Sequence, residues 1–229
     1  MALVPLNYYD LLERLPQPGC VICTLVEHDT RRYLDSLLYE YANAPATHVR
    51  LRASRGLCAA HSARLADFGA GVLGVTILQA QVLDEVRRLA EANGERTLSR
   101  LLGLSAGGSS IADRLEPTEE CPACSSVNHA EAGHALALAN AITDERMIAA
   151  FRQSDGLCLP HLKMVLREIP TPAHLEKLMT AQSEHWTRLR EELETFMRAY
   201  DMNKTAPSDV GAASDSWRRA MRLLAGRPR

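Results

Sequence analysis

Apolar residues recur along this chain at the three-and-four spacing of a helix face, without the period-two alternation of a strand. After Cys20, the residues Val21, Leu25, Leu34, Leu37, Leu38 and Tyr41 keep helical spacing, and Pro45 ends the run. A short helix through Val49 and Leu51 leads to a break at Gly56. From Cys58 a long helical pattern runs towards Asn93, bent around Gly69, Gly71 and Gly74. The second half repeats this order, with a helix from Cys121, a short one from Met147 to Phe151, and one from Cys158 to Ile169. Pro170 and Pro172 interrupt it before a long helix from Ala173 to Met202. The predicted fold class is all-α.

The order repeats because the sequence does. "RASRGLCAAH", Arg52 to His61, and "RQSDGLCLPH", Arg152 to His161, agree at six of ten positions. Upstream, "CVIC" from Cys20 aligns with "CPAC" from Cys121, and His28 falls on His129. Downstream, "LQAQ" (Leu78 to Gln81) faces "MTAQ" (Met179 to Gln182). These matches predict two pseudo-repeated helical units, the first over residues 1–102 and the second over 119–202. The Gly-, Ser- and Pro-rich stretch 103–118 reads as a flexible linker. Residues 203–229 read as a polar tail with a short amphipathic helix, "SDSWRRAMRLLAG", which either docks on its own protein or offers a basic face to a partner.

Composition narrows the class. The chain has 229 residues, 46% of them hydrophobic and 24% charged, which suits a folded globular protein. With 26 basic against 28 acidic residues it lacks the basic surplus of a nucleic-acid binder. The longest uncharged run, Phe68 to Leu83, has 16 residues and falls short of the ~20 that span a bilayer; it predicts a buried central helix. Asp10 and Glu13 interrupt the start before any apolar targeting segment. The cytoplasm is the expected compartment, where clustered cysteines serve metal or redox chemistry more often than disulfides.

All six cysteines lie in the repeated phrases, each copy offering Cys-x-x-Cys and then Cys-x-x-His. Residues three apart on a helical turn share a face, so their donor atoms can converge on one ion. Two such pairs supply the four N/S ligands of a closed tetrahedral site. Helix starts also favour thiolates, through free N–H groups and the positive dipole end. The expected sets are Cys20, Cys23, Cys58 and His61 for one ion, and Cys121, Cys124, Cys158 and His161 for another. Within each set, 34 and 33 residues separate the halves, which suits helices coming together better than a compact finger. Gly56 and Gly156 precede the third cysteine, where a tight turn would let backbone approach the ion. Zinc, two ions per chain, is the favoured cofactor. An iron–sulfur cluster is the alternative, and the plainest reading is of buried cysteines that merely pack. His28 and His129 are candidate alternative ligands or outer partners of the ligands, or a coincidental pair on half-polar helices.

No catalytic residue is expected. Four protein ligands leave no open position at the ion. No H-E-x-x-H, G-x-S-x-G or Walker-type phrase appears, and "SAGGSS" at Ser105 to Ser110 has no strand before it. A thioredoxin-like exchange would need a βαβ setting. Thr24 and Ser125 stand where haem attachment would need histidine.

Through "CPAC", "RASRGLC", "SDGLCLPH" and the closing "DSWRRA", the chain resembles an uncharacterised bacterial family of unknown function. The resemblance extends over nearly the whole chain, with Val21 in place of the proline of "CPAC". It implies the duplicated architecture and no activity. The functional expectation is a non-catalytic zinc-binding interaction or regulatory module with a protein partner. A thiol-based redox or metal sensor is the alternative.

Overall fold

Several helix starts are written into the sequence as prolines, whose missing N–H costs nothing in a first turn. Pro45, Pro122, Pro160 and Pro172 all occupy such positions. Cys58 and Cys158 are the N-caps of the helices that follow them. Asp144 caps another helix by accepting from the backbone N–H groups of Arg146 and Met147, each at 3.0 Å.

The structure is a computed structural model that describes residues 7–41, 44–68, 71–91, 108–203 and 211–227. All regular structure among them is helical. The helices are α1 (Tyr8–Arg14), α2 (Val21–Tyr39), α3 (Pro45–Ala53), α4 (Ala59–Ala66) and α5 (Val72–Glu91). Then come α6 (Gly108–Leu115), α7 (Pro122–Ala141), α8 (Glu145–Gln153) and α9 (Leu159–Arg167). The last two are α10 (Pro172–Asn203) and α11 (Ser216–Ala225), the latter preceded by a 3₁₀ turn at Gly211–Asp215. The all-α class is as the periodicity implies. Among the described residues no helix is long and apolar enough to cross a membrane.

By contacts the chain forms two units, Met1–His28 with His129–Arg229, and Asp29–Asn128. The sequence division at 102 and 118 follows the repeat, whereas contacts group its pieces differently. In the first unit, Leu11, Leu15, Ile22, Leu25, Leu138, Ile142, Met147, Phe151, Leu162 and Leu178 build one core. In the second, Leu34, Leu37, Leu38, Leu51, Leu65, Leu78 and Val82 build another. The boundaries at 28/29 and 128/129 fall inside α2 and α7.

Four local expectations change. Pro45 opens α3 as well as following the first run. The pattern from Cys58 is broken, not bent: α4 ends at Ala66 and α5 begins after Gly71. Gly71 has φ +81°, and a Cβ there would lie 3.0 Å from Leu38 Cδ1. Residues 69, 70 and 93 lie outside the described ones. The uncharged run does not make a buried central helix, because α5 buries Leu78 and Val82 while Val72, Leu73 and Leu83 are exposed. Within the expected linker, residues 108–115 form α6, and 103–107 lie outside the described residues. Arg55 donates to the carbonyls of Arg114 and Glu116 at 3.2 and 3.0 Å, and Arg114 Nε donates to that of Leu89, which ties α6 to its unit.

Helix α1, too short to show a period, is held by Tyr8, whose hydroxyl donates to Asp144 Oδ1 at 2.6 Å. This bond and the capping amides hold the Asp144 carboxyl below its ordinary value of 3.8. Its contribution is therefore complete above that value and is lost as pH falls through the lowered one. Asp144→Ala is expected to cost about 1–2 kcal/mol. Urea unfolding at pH 7 checks the cost, and the gap from the unaltered protein should narrow when the experiment is repeated near pH 3.

Candidate metal centres

The repeated phrase builds a helix start from its own residues. The Ser154 hydroxyl donates to the Phe151 carbonyl at 2.7 Å, closing α8, and accepts from the Gly156 N–H at 3.0 Å. Gly156 then turns the chain at φ +75°, where a Cβ would meet His185 Cδ2 at 2.7 Å. The buried Gln182 side chain bonds both backbone groups of Leu157, at 2.9 and 3.2 Å. Cys158 follows as N-cap of α9, with His161 three residues on. In the other copy Ser54 also donates to the carbonyls before it, and Gly56 takes φ +95°. Both glycines take the left-handed turn, and at Gly156 His185 also leaves no room for a side chain, whereas at Gly56 the nearest atom, Val82 Cγ1, is at an ordinary 3.7 Å.

The Cys-x-x-Cys pairs sit at equivalent places. The carbonyls of Cys20 and Cys121 accept the first helical bonds, from Thr24 and Ser125, so Cys23 and Cys124 lie in the first turns of α2 and α7. Each pair of ligands is therefore a cap residue and the residue three beyond it, on one helix face.

Two groups of converging ligand atoms result, one in each unit. Cys20, Cys23, Cys158 and His161 form the first; Cys58, His61, Cys121 and Cys124 form the second. This corrects the expected pairing, which joined Cys20 and Cys23 to Cys58 and His61, and Cys121 and Cys124 to Cys158 and His161. The physical reason is helix length. Cys23 lies at the head of α2, whereas Leu37 and Leu38, near its end, share a core with Leu65 of α4. At 1.5 Å per residue, roughly 22 Å of helix separates Cys23 from Leu38. The first cysteine pair cannot follow the chain to the nearest Cys-x-x-His.

Within each group the donor atoms lie within 4.8 Å of one another. In the first, His161 Nδ1 is 3.3 Å from the sulfurs of Cys20 and Cys23 and 3.1 Å from that of Cys158. In the second, His61 Nδ1 is 3.2, 3.7 and 3.4 Å from Cys58, Cys121 and Cys124. One sulfur pair in each group, Cys23 with Cys158 and Cys58 with Cys124, is 3.7 Å apart. A tetrahedron with Zn–S bonds of about 2.3 Å has edges of about 3.75 Å. All six cysteines are free of disulfides. Both groups could hold metal ions.

The surroundings of the two differ. The first group is wholly buried, while Cys58, Cys121 and Cys124 of the second are half-buried. Burial opposes charge on His161, but hydrogen bonds with Cys158, Cys23 and Glu131 outweigh it and push its pKa up to about 11. Burial raises the Cys20 thiol, and hydrogen bonds from Cys158 and Cys20 draw Cys23 down towards thiolate. In the second group burial leads the rise of Cys124 to about 12. Burial also works against charge on Cys58, yet the backbone N–H groups of His61 and Ala60 and the neighbouring thiols bring it down. That is the expected effect of a helix start. His61 is lowered by burial and by Arg64.

Sequence reasoning missed Glu131. Its Oε1 lies 2.7 Å from His161 Nε2, and both side chains are buried. A carboxylate on the far nitrogen fixes the tautomer that turns Nδ1 towards an ion. The repeat hid it, since Thr30 occupies the matching place; the available signal was that Glu131 is the sole carboxylate between Glu120 and Asp144. His28 and His129 belong to neither group and are exposed. Five residues turn a helix about 140° away from the preceding cysteine.

No curated protein and no solved structure matches the chain. The model of a family of unknown function matches residues 106–229, more than half of it. That range contains Cys121, Cys124, Glu131, Cys158 and His161, one ligand pair from each group.

Glu131→Gln keeps the shape and removes the charge that orients His161. It is expected to lower the affinity of one of two bound ions by roughly 10–100-fold and to leave the other unchanged. Competition with a chromogenic chelator would show this as one ion released at lower chelator concentration than in the unaltered protein; a release profile unchanged from that of the unaltered protein would contradict it.

Proposed function

The chain belongs to the family of unknown function DUF6062, and from that premise we propose that it is a non-catalytic zinc-binding helical protein serving as an interaction module. The observation that carries this reading is the spacing of the donors. Three sulfurs and one imidazole nitrogen converge in each unit, with sulfur pairs at 3.7 Å. That distance suits the edge of a tetrahedron around one zinc ion. An iron–sulfur cluster places several irons and sulfides between its ligands and needs a wider cage. Four protein donors fill the coordination of a structural ion and leave no place for an activated water. The ions would contribute folding energy by joining helix starts remote in sequence.

A protein partner suits the surface. Trp217, Met221 and Leu224 on α11 stand 43%, 62% and 62% exposed at successive turns of one helix, an arrangement used in helix-mediated contacts. The near balance of charge disfavours nucleic acid. The second reading, a thiol-based sensor in the cytoplasm, draws on the half-buried cysteines of the second group. Cysteines that solvent can reach are the ones that oxidants reach first.

The purified protein is expected to carry two zinc ions per chain and no visible absorption. Replacement by cobalt(II) should give thiolate charge-transfer bands, and a strong chelator should reduce helicity. Metal-free protein with unaltered helicity would overturn the proposal, and a broad visible band in the isolated protein would replace zinc with a cluster.

A further inference from the structure

A cavity of about 290 Å³ lies beside the first ligand group, at the small end of the range for ligand sites. Cys20, Cys23 and Cys158 line one side of it. Leu189 of α10 and Leu223 of α11 give it an apolar wall. Four guanidinium groups also line it: Arg188 from α10, Arg219 and Arg222 from α11, and Arg227 just beyond.

The carboxylates around the cavity are already engaged. Glu192 and Asp215 both pair with Arg219, Asp215 at 2.9 Å. Asp155 accepts from the Gly19 N–H at 2.6 Å. Arg188 donates to the carbonyls of Arg152 and Ser154 at 3.1 and 3.5 Å and to His185, contacts that hold its head group without supplying counter-charge. Among the described residues, Arg222 and Arg227 have no carboxylate partner within ion-pair distance. Four arginines against three carboxylates, Asp155, Glu192 and Asp215, leave one surplus positive charge beside the apolar wall.

We propose that this cavity binds a small organic anion. Its carboxylate or phosphate head meets Arg188, Arg222 and Arg227, and a short apolar body lies against Leu189 and Leu223. Guanidinium groups match both heads, because their paired N–H donors fit two oxygens at once. Arg188 is already fixed, which reduces the ordering that binding requires. The donors belong to α10, to α11 and to Arg227 two residues beyond it, outside the cysteine and histidine set. The inference therefore stands apart from the zinc reading: anion binding by metal-free protein would remove zinc and keep the cavity's ligand.

The test is calorimetric titration of the full chain at low ionic strength with inorganic phosphate, phenyl phosphate and benzoate. The organic anions are expected to bind more tightly than inorganic phosphate, and the tighter of the two identifies the head group. The double variant Arg222→Glu, Arg227→Glu alters two exposed residues. It should weaken binding by roughly 10–100-fold, with metal content and helicity unchanged. Absence of binding for all three probes at millimolar concentration would overturn the proposal, as would equal binding by the double variant. Loss of metal in the variant without any anion binding would do the same, and would assign the arginines to balancing the thiolates.

Discussion

A cysteine at a helix cap, with a second ligand three residues later, is the arrangement on which the rest of this protein depends. The free amides of the first turn lower the cost of a negative sulfur, as the backbone groups of Ala60 and His61 do for Cys58. Helical geometry then places the second donor on the same face. Four such starts, at α2, α4, α7 and α9, meet as two pairs. The surrounding features serve that meeting: the serine that closes the preceding helix, the glycine that turns the chain, and Gln182, which holds Leu157 on both backbone sides.

The pairing makes the closure long-range. Cys23 and Cys158 are 135 positions apart, and Cys58 and Cys124 are 66 apart. Pairs along each repeat would close much shorter stretches. Closing a longer loop restricts the unfolded chain more, though the effect grows only slowly with length. Each unit takes a Cys-x-x-Cys from one copy of the phrase and a Cys-x-x-His from the other. Neither group is then complete until distant parts of the chain have met, so metal binding and long-range folding are coupled in this account.

Much of the fold was legible because long helices display their period many times. α2, α7 and α10 are visible in the spacing of their apolar residues, whereas seven-residue α1 offers too few turns to show one. The break at Gly71 read as a bend, because glycine permits either; there the chain takes φ +81° and Leu38 fills the space a side chain would need. All eight side chains that converge in the two groups were evident from residue type and spacing. Their partnership was not, because sequence proximity says nothing about which end of a 19-residue helix faces which neighbour. Glu131 escaped for a related reason: symmetry between the copies pointed to matched histidines, and the first unit uses a carboxylate that has no counterpart in the other copy.

The exchanged pairing is tested most directly by counting ions in two double variants with inductively coupled plasma and native mass spectrometry. Cys20→Ser with Cys158→Ser strikes one group twice, so this protein should retain one ion per chain. Cys20→Ser with Cys58→Ser strikes both groups, and this protein should retain none. The reverse pattern, with the second variant keeping one ion and the first losing both, would contradict the account.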